Sequence, residues 1–299
     1  MLKKSNPMGN PEFIRKIFTE GDDIRDAGLQ TPAEIERVND LVYGTDPVWN
    51  KLDIYRRKDI AAESNDPKPT IISIHGGAWV YGDKERYQFY CMDLAMRGFT
   101  VVNFTYRLAP EHRYPAAIED INEVFWWIVK NQEKYQIDTD KLFVVGDSAG
   151  GQLASQYLAL LTNPDYQKLI ALNYPSDSLK VRGTALNCGM YDGKIFIKDA
   201  LADSYFDGNP NNWLNQVDTL NYITSQFPPA FVMTSVHDFL REHAEPMYEL
   251  LKSKGVPCEY HLYGSEIEKE IGHVFHLNIR HKEAIKCNDE ECAFFRSLC

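Results

Sequence analysis

Cysteine is scarce in this 299-residue chain, and its six cysteines form no C-x-x-C pair. A chain of this length can bury a large core without disulfides, so the sequence predicts reduced thiols and a cytoplasmic protein. Cys287 and Cys292 lie near His281, but their spacing matches no structural zinc pattern. No metal site is therefore predicted.

Long apolar runs and an excess of positive charge are also missing. The N-terminal residues lack the apolar run of a secretory signal, and no apolar stretch approaches the roughly twenty residues that span a bilayer. Lysine and arginine total 32 against 43 acidic residues, a net charge of −11 that disfavours nucleic acids and anionic membrane surfaces. These features predict no nucleic-acid or membrane partner and favour a small-molecule ligand.

Short β-type runs alternate with helical segments along most of the chain. The predicted strands are residues 51–57, 70–77, 99–107, 141–147, 184–190, 230–238 and 258–264. Most of these runs are continuously apolar, which is typical of strands covered on both faces. The pattern predicts an α/β fold with a mostly parallel sheet and helices on both faces, in a single domain spanning 1–299. Ligands of such sheets bind beyond the carboxyl ends of the strands.

Two segments interrupt this alternation. Residues 1–40 read as amphipathic helix, for example in PEFIRKIF and TPAEIERVNDLV, and residues 192–226 contain short aromatic-rich pieces. Both are candidates for a cap or lid over the carboxyl end of the sheet. The alternative is surface structure that only buries its own aromatic side chains.

The stretch FVVGDSAGGQLA, residues 143–154, contains the first candidate catalytic group. A Gly-x-Ser-x-Gly match alone is weak, but here a β-branched run leads into it and an amphipathic helix follows. This setting is typical of the sharp turn that raises a serine hydroxyl above a sheet. Small residues are needed because strand and helix approach closely there. Ser148 is therefore the predicted nucleophile.

A serine nucleophile needs a base, and the base needs a carboxylate to orient it. In this type of sheet the acid and then the base follow the serine, each at the end of a later strand. Asp238 closes the predicted strand 230–238, and His273 follows the last predicted strand, where Gly272 lets the chain turn. We predict Asp238 as the acid and His273 as the general base.

Four other side chains are alternatives for these roles. His276 lies three residues beyond the predicted base and is expected to point down a starting helix, and His237 should face away from the predicted acid. Asp147 lies inside the sharp turn, where it is expected to hold neighbouring loops. Asp192 ends an earlier strand and is the reserve candidate for the acid.

The segment HGGAW provides candidate donors for an oxyanion, which acyl transfer requires. Its glycines follow a predicted strand, where backbone N–H groups can point into the site. The predicted oxyanion hole comprises the N–H groups of Gly76, Gly77 and Ala149. His75 is expected to organise this loop, and Trp79 to form a wall of the substrate pocket or, alternatively, part of the core.

At these residues the chain resembles the hormone-sensitive-lipase-like branch of the α/β-hydrolases. The matching motifs, in the family's order, are HGGAW, YRLAPEHRYPAA, GDSAGG, PPAFVMTSVHDFLRE and HVF, within about residues 48–280. The resemblance implies an eight-stranded, mostly parallel sheet, a small helical cap built partly from the N-terminus, and esterase activity without a cofactor. It carries the triad and oxyanion roles onto the same residues, Ser148, Asp238, His273, Gly76, Gly77 and Ala149.

The chain departs from that family at one loop position, because Ala78 stands where a third glycine is frequent. Related small esterases and formamidases share HGGAW, so this motif does not fix the substrate. The predicted function is a serine carboxylesterase that hydrolyses a small-molecule ester with a short acyl chain. The alternatives are a formamidase or other amidase, a carbohydrate acetylesterase, and a non-catalytic ligand-binding homologue. A homodimer through an edge strand or the last helix is compatible with the sequence.

Overall fold

One eight-stranded sheet organises the protein. The computed structural model describes residues 7–63 and 66–299. The strands are β1 Ile35–Val42, β2 Lys51–Arg57, β3 Lys68–Ile74, β4 Thr100–Phe104, β5 Ile137–Asp147, β6 Val181–Asn187, β7 Ala230–Ser235 and β8 Cys258–Tyr263. Their order is β1-β2-β4-β3-β5-β6-β7-β8, and only the β1–β2 and β2–β4 pairings within it are antiparallel. The predicted α/β fold with a mostly parallel sheet is confirmed.

Helices cover both faces of this sheet. They are α1 Pro11–Asp26, α2 Lys58–Glu63, α3 Lys84–Met96, α4 Ala116–Tyr135, α5 Ala149–Thr162, α6 Pro164–Gln167, α7 Gly193–Phe196, α8 Ala202–Tyr205, α9 Leu214–Val217, α10 Ala244–Ser253 and α11 Lys282–Ser297. Short 3₁₀ turns occupy Pro7–Gly9, Pro210–Trp213, Thr219–Tyr222, Arg241–His243 and Phe275–Leu277. Within the described residues, no helix combines the length and apolarity needed to cross a bilayer.

The continuously apolar strands face two separate cores. Ile72 belongs to the core that includes residues of α4, α5 and α10, while its neighbour Ile71 belongs to the core that includes residues of α3 and α11. Leu142 and Phe143 of β5 divide between the two cores in the same way. Successive side chains of a strand point to opposite faces, so both faces need apolar residues when both are covered.

The prediction of helix for residues 31–42 is wrong, because Ile35–Val42 forms the edge strand β1. Val38 and Leu41 are three residues apart and both pack against the same core. This spacing suggests a helix, because residues three apart on a regular strand point to opposite faces. The register of β1 shifts between these two residues, and Asp40 has φ +59°. Such a bulge adds one residue and breaks the period of two. Helix was correct for Pro11–Asp26, and residues 1–6 of the predicted cap lie outside the described residues.

Candidate active site

Ser148 stands on the sharp turn between β5 and α5. Its backbone has φ +53° and ψ −120°, and its N–H donates to the carbonyl oxygen of Asn187 at 2.9 Å. A Cβ on Gly150 would lie 2.1 Å from the carbonyl oxygen of Ile74, so no larger residue fits there. The strained backbone at a non-glycine residue and the close packing of strand and helix together hold the serine at the end of the sheet.

His273 joins Ser148 to Asp238. The Nε2 atom of His273 lies 2.9 Å from Oγ of Ser148, and Nδ1 lies 2.7 Å from Oδ1 of Asp238. With Nδ1 donating to the carboxylate, Nε2 is the acceptor for the serine hydroxyl. The structure therefore brings the three predicted side chains into one hydrogen-bonded chain.

The buried Asp238 carboxylate is held by two further donors. The Thr234 hydroxyl donates to Oδ2 and the Leu240 N–H to Oδ1, each at 2.8 Å. Burial alone would raise the pKa of Asp238, but the hydrogen bond and charge of His273, with the two donors, outweigh burial and lower it. The carboxylate thus remains ionised beside the imidazole at neutral pH.

The alternative residues lie elsewhere. Both ring nitrogens of His276 are buried without a hydrogen-bond partner among the described residues, and burial lowers its pKa to about 3. The Nε2 atom of His237 lies 3.1 Å from the carbonyl oxygen of Ser265. Asp192 accepts the N–H of Lys194 as the N-cap of α7. None of these contacts joins the hydrogen-bonded chain of Ser148.

Asp147 anchors the HGGAW loop through Tyr87. The Tyr87 hydroxyl donates to Oδ2 of Asp147 at 2.7 Å and accepts the Gly76 N–H at 2.9 Å. Burial raises the pKa of Asp147 to about 6, against the opposing hydrogen bond from Tyr87. The Gly76 N–H is therefore already occupied, and its predicted role as an oxyanion donor is revised.

The next peptides of the loop remain available. Gly77, Ala78 and Trp79 have φ of +114°, +52° and +60°, a left-handed run that turns successive N–H groups. Across the described chain, the N–H groups of Gly77 and Ala78 have no hydrogen-bond partner. Ala149 is the first residue of α5, where a helix leaves its N–H unpaired. Positive φ at Ala78 is costly for a residue with a Cβ, and such strain concentrates at functional sites.

A cavity of about 480 Å³ opens above Ser148. Trp79 lines it and is 4% exposed, so this side chain is at once a pocket wall and part of the core. Its ring stacks on Phe196 at 4.1 Å, and its Nε1–H donates to Gln152 at 3.0 Å. His75 lies behind the loop, stacked on Tyr106, with its pKa lowered to about 4 by burial.

Both predicted cap segments line this cavity. Helix α1 contributes Ile14, Ile17 and Phe18, and the 192–226 segment contributes Leu201. The two segments also meet, since a Cβ on Gly9 would lie 2.9 Å from the carbonyl oxygen of Ala200. The roof of the cavity is therefore made from both segments, with Asp22, Arg25 and Asp199 beside the apolar side chains.

Arginines fasten α1 to the body of the protein. Arg15 donates to the carbonyl oxygens of Val80 and Ala109, at 2.8 and 2.9 Å. Arg25 donates to the carbonyl oxygen of Arg86 at 2.8 Å. These bonds reach main-chain groups beside the HGGAW loop, so the position of α1 is coupled to that loop.

The structure places the cysteines flagged by the sequence inside helix α11. Cys287 and Cys292 are buried there, and His281 caps the helix by accepting the Glu283 N–H at 3.2 Å. Within the described residues, the one group with ligand atoms close enough for a metal is Cys188 with Asp238 and His273, all within 4.8 Å. Two of its three members are already hydrogen-bonded to each other.

A second buried carboxylate, Glu291 of α11, lies below the serine turn. It accepts the Asn187 amide at 2.8 Å and the Tyr90 hydroxyl at 3.3 Å, and Asn187 also accepts the Ser148 N–H. No ion pair to Glu291 occurs in the described parts of the chain. Burial raises its pKa from 4.5 to about 7, although the two hydrogen bonds oppose this change.

The raised pKa of Glu291 predicts that stability falls as pH rises. Between the unfolded pKa of 4.5 and the folded value of about 7 the native state binds more protons, so ionisation costs the fold free energy. The full loss, above both values, is about 3 kcal/mol. We expect Glu291→Gln to flatten the difference between urea midpoints at about pH 5 and about pH 8. The exposed Glu123→Gln should leave that difference unchanged, and an equal effect of both variants would contradict the prediction.

The sheet order and the serine turn define an α/β-hydrolase. Comparison with known proteins identifies the family within this fold. A family model for the alpha/beta hydrolase fold, Abhydrolase_3, matches residues 71–277, and the chain belongs to this family. The resemblance to the hormone-sensitive-lipase-like branch of the α/β-hydrolases is thereby confirmed.

Named esterases are among the similar proteins. Esterase LipC of Mycobacterium tuberculosis is 35% identical over 128 residues, 42% of this chain but 31% of the relative. Versiconal hemiacetal acetate esterase of Dothistroma septosporum is 28% identical over 238 residues, 71% of this chain and 68% of the relative. The chain thus spans from about a third to two thirds of these relatives. The solved structure of phosphonate-inhibited esterase B from Lactobacillus rhamnosis superposes with a TM-score of 0.88 at 22% identity, covering 99% and 96% of the two chains.

Proposed function

We propose that the protein is a serine carboxylesterase that hydrolyses small esters with short acyl chains. The observation that carries the proposal is the hydrogen-bonded chain from Ser148 through His273 to Asp238, at 2.9 and 2.7 Å. The cavity above the serine is lined mainly by apolar side chains and has the volume of a small-molecule site, about 480 Å³. The family and its named esterases support the same reaction class.

In the first half-reaction, Oγ of Ser148 attacks the ester carbonyl carbon while Nε2 of His273 takes the hydroxyl proton. The carbonyl oxygen becomes negative in the tetrahedral intermediate. The unpaired N–H groups of Gly77, Ala78 and Ala149 are the donors we assign to it, and removing one such donor typically costs about 3 kcal/mol. Breakdown of the intermediate passes the proton from His273 to the leaving alcohol.

In the second half-reaction, His273 removes a proton from water, which attacks the acyl-serine carbonyl. The same donors hold the second oxyanion, and the returning proton restores the Ser148 hydroxyl as the acid leaves. Asp238 stays ionised throughout, because its lowered pKa keeps it a carboxylate that stabilises the imidazolium.

The test is hydrolysis of p-nitrophenyl acetate, butyrate, octanoate and palmitate by the purified chain, with fluorophosphonate labelling located by peptide mass spectrometry. We expect the acetate or butyrate to give the highest kcat/KM and the label to sit on Ser148. Parallel assays with an acetylated sugar and an N-formyl aromatic amine compare the acetylesterase and formamidase reactions. Labelling at a different residue, or a preference for palmitate, would contradict the proposal.

A further inference from the structure

Phe239 is an exposed aromatic side chain in contact with the triad. The residue is 74% exposed. The ring centroid lies 4.2 Å from that of His273, with the planes tilted by 41°. Phe239 also lines the cavity above Ser148. A large apolar surface is thus open to a ligand directly beside the imidazole.

A tight turn holds Phe239 in this position. The N–H of Asp238 donates to the carbonyl oxygen of Ser235, the Leu240 N–H donates to Oδ1 of Asp238, and the Arg241 N–H donates to the carbonyl oxygen of Asp238. These hydrogen bonds fix the backbone of the residues before and after Phe239. Its ring is therefore presented to the mouth of the cavity by the same turn that places the acid.

The chemistry of acylation places the alcohol part of an ester on this side of the site. The imidazole must give its proton to the leaving oxygen, so Nε2 of His273 has to lie next to that oxygen. The first carbon of the alcohol is bonded to the same oxygen and lies close to the imidazole. The ring of Phe239 is in contact with that imidazole.

We propose that Phe239 forms the wall of the alcohol subsite, and that the preferred substrates are esters of aromatic alcohols. The inference rests on the proposed esterase function and specifies its substrate class. Leu240 and Val274, the neighbours of Phe239 and His273, also line the cavity, so this side is apolar. An aromatic alcohol gains an offset or edge contact with the Phe239 ring, whereas a sugar alcohol would lose hydration against apolar side chains.

The experiment compares benzyl acetate with methyl acetate, which share an acyl group and both release an alcohol whose oxygen is bonded to a saturated carbon. We expect Phe239→Ala to lower kcat/KM for benzyl acetate about tenfold while methyl acetate changes less than about twofold. Phe239→Tyr keeps an aromatic ring and should keep the preference. The control is Ile267→Ala, which truncates a side chain that is 88% exposed and outside the cavity lining.

The outcomes separate the two proposals. Equal losses on both esters in Phe239→Ala would mean that the ring supports His273 instead of the alcohol, and would overturn the alcohol subsite. No loss on either ester would overturn it as well. Both results leave Ser148-dependent hydrolysis in the parent intact. If the parent hydrolyses neither ester, the esterase function itself fails, and the subsite fails with it.

Discussion

Ser148→Ala is expected to lower kcat for p-nitrophenyl acetate by a factor on the order of 10⁶. The substitution removes Oγ, the atom that contacts Nε2 of His273 and that forms the acyl bond. The N–H of residue 148 still donates to the carbonyl oxygen of Asn187, so the turn keeps its backbone anchor. The loss therefore reports on chemistry, and the thermal unfolding midpoint should stay within a few degrees of the parent's.

Ser155→Ala provides the matched control for this result. Ser155 lies in helix α5, which Ser148 precedes, and it is buried with its hydroxyl donating to the carbonyl oxygen of Gln152. We expect its kcat to remain close to that of the parent. Hydrolysis by purified Ser148→Ala at the parent's rate would mean that another group attacks the ester, and the triad mechanism would then be wrong.

The positions of Ser148, Asp238 and His273 were accessible from sequence because each follows a strand of one parallel sheet. Carboxyl ends of parallel strands meet at one edge, so strand order is enough to predict that residues far apart in the chain converge. Strand β7 ends at Ser235, before the predicted boundary, and the acid lies in the turn beyond it. The error in the strand boundary does not affect the contact between Asp238 and His273, because the turn after β7 folds back over the same edge of the sheet.

The partner of Gly76 was not accessible from sequence. Tyr87 lies on α3, which packs against β2 and β4, and its hydroxyl reaches both Gly76 and Asp147. No spacing or motif reports a side chain that arrives from another element. The sequence did mark the position of Ala78, where the related family often has glycine. Ala78 has φ +52°, a conformation that glycine adopts without strain, and this accounts for the frequency of glycine there.

The edge strand β1 also depends on a contact with another element that the local sequence does not reveal, here in the backbone. Its apolar residues follow a helical spacing because a bulge at Asp40 adds one residue to the strand. The pairing with β2 supplies backbone hydrogen bonds that local periodicity does not reveal. Local patterns therefore predicted the buried parallel strands well and failed where an irregularity is stabilised by a neighbouring strand.

Asp238→Ala is expected to lower kcat about 10⁴-fold, less than the loss of the nucleophile. Without the carboxylate, Nδ1 of His273 loses its acceptor, and the imidazolium formed during attack loses its counter-charge. The Thr234 hydroxyl and Leu240 N–H also lose their acceptor, which costs about 1–3 kcal/mol of stability. Unfolding measurements on this variant are therefore needed beside the kinetics.

Asp238→Asn removes the charge at this position but keeps the shape of the side chain. An amide oxygen can still accept from His273 and Leu240, while the Thr234 hydroxyl rotates to accept from the amide nitrogen. The fold is then retained, but the counter-charge is lost and the amide nitrogen can hold His273 in the inactive tautomer, so we expect a loss in kcat close to the roughly 10⁴-fold loss of Asp238→Ala. Asp192→Asn, at the reserve position that caps α7, should keep the parent's kcat. A large loss there with full activity in both Asp238 variants would move the acid to Asp192.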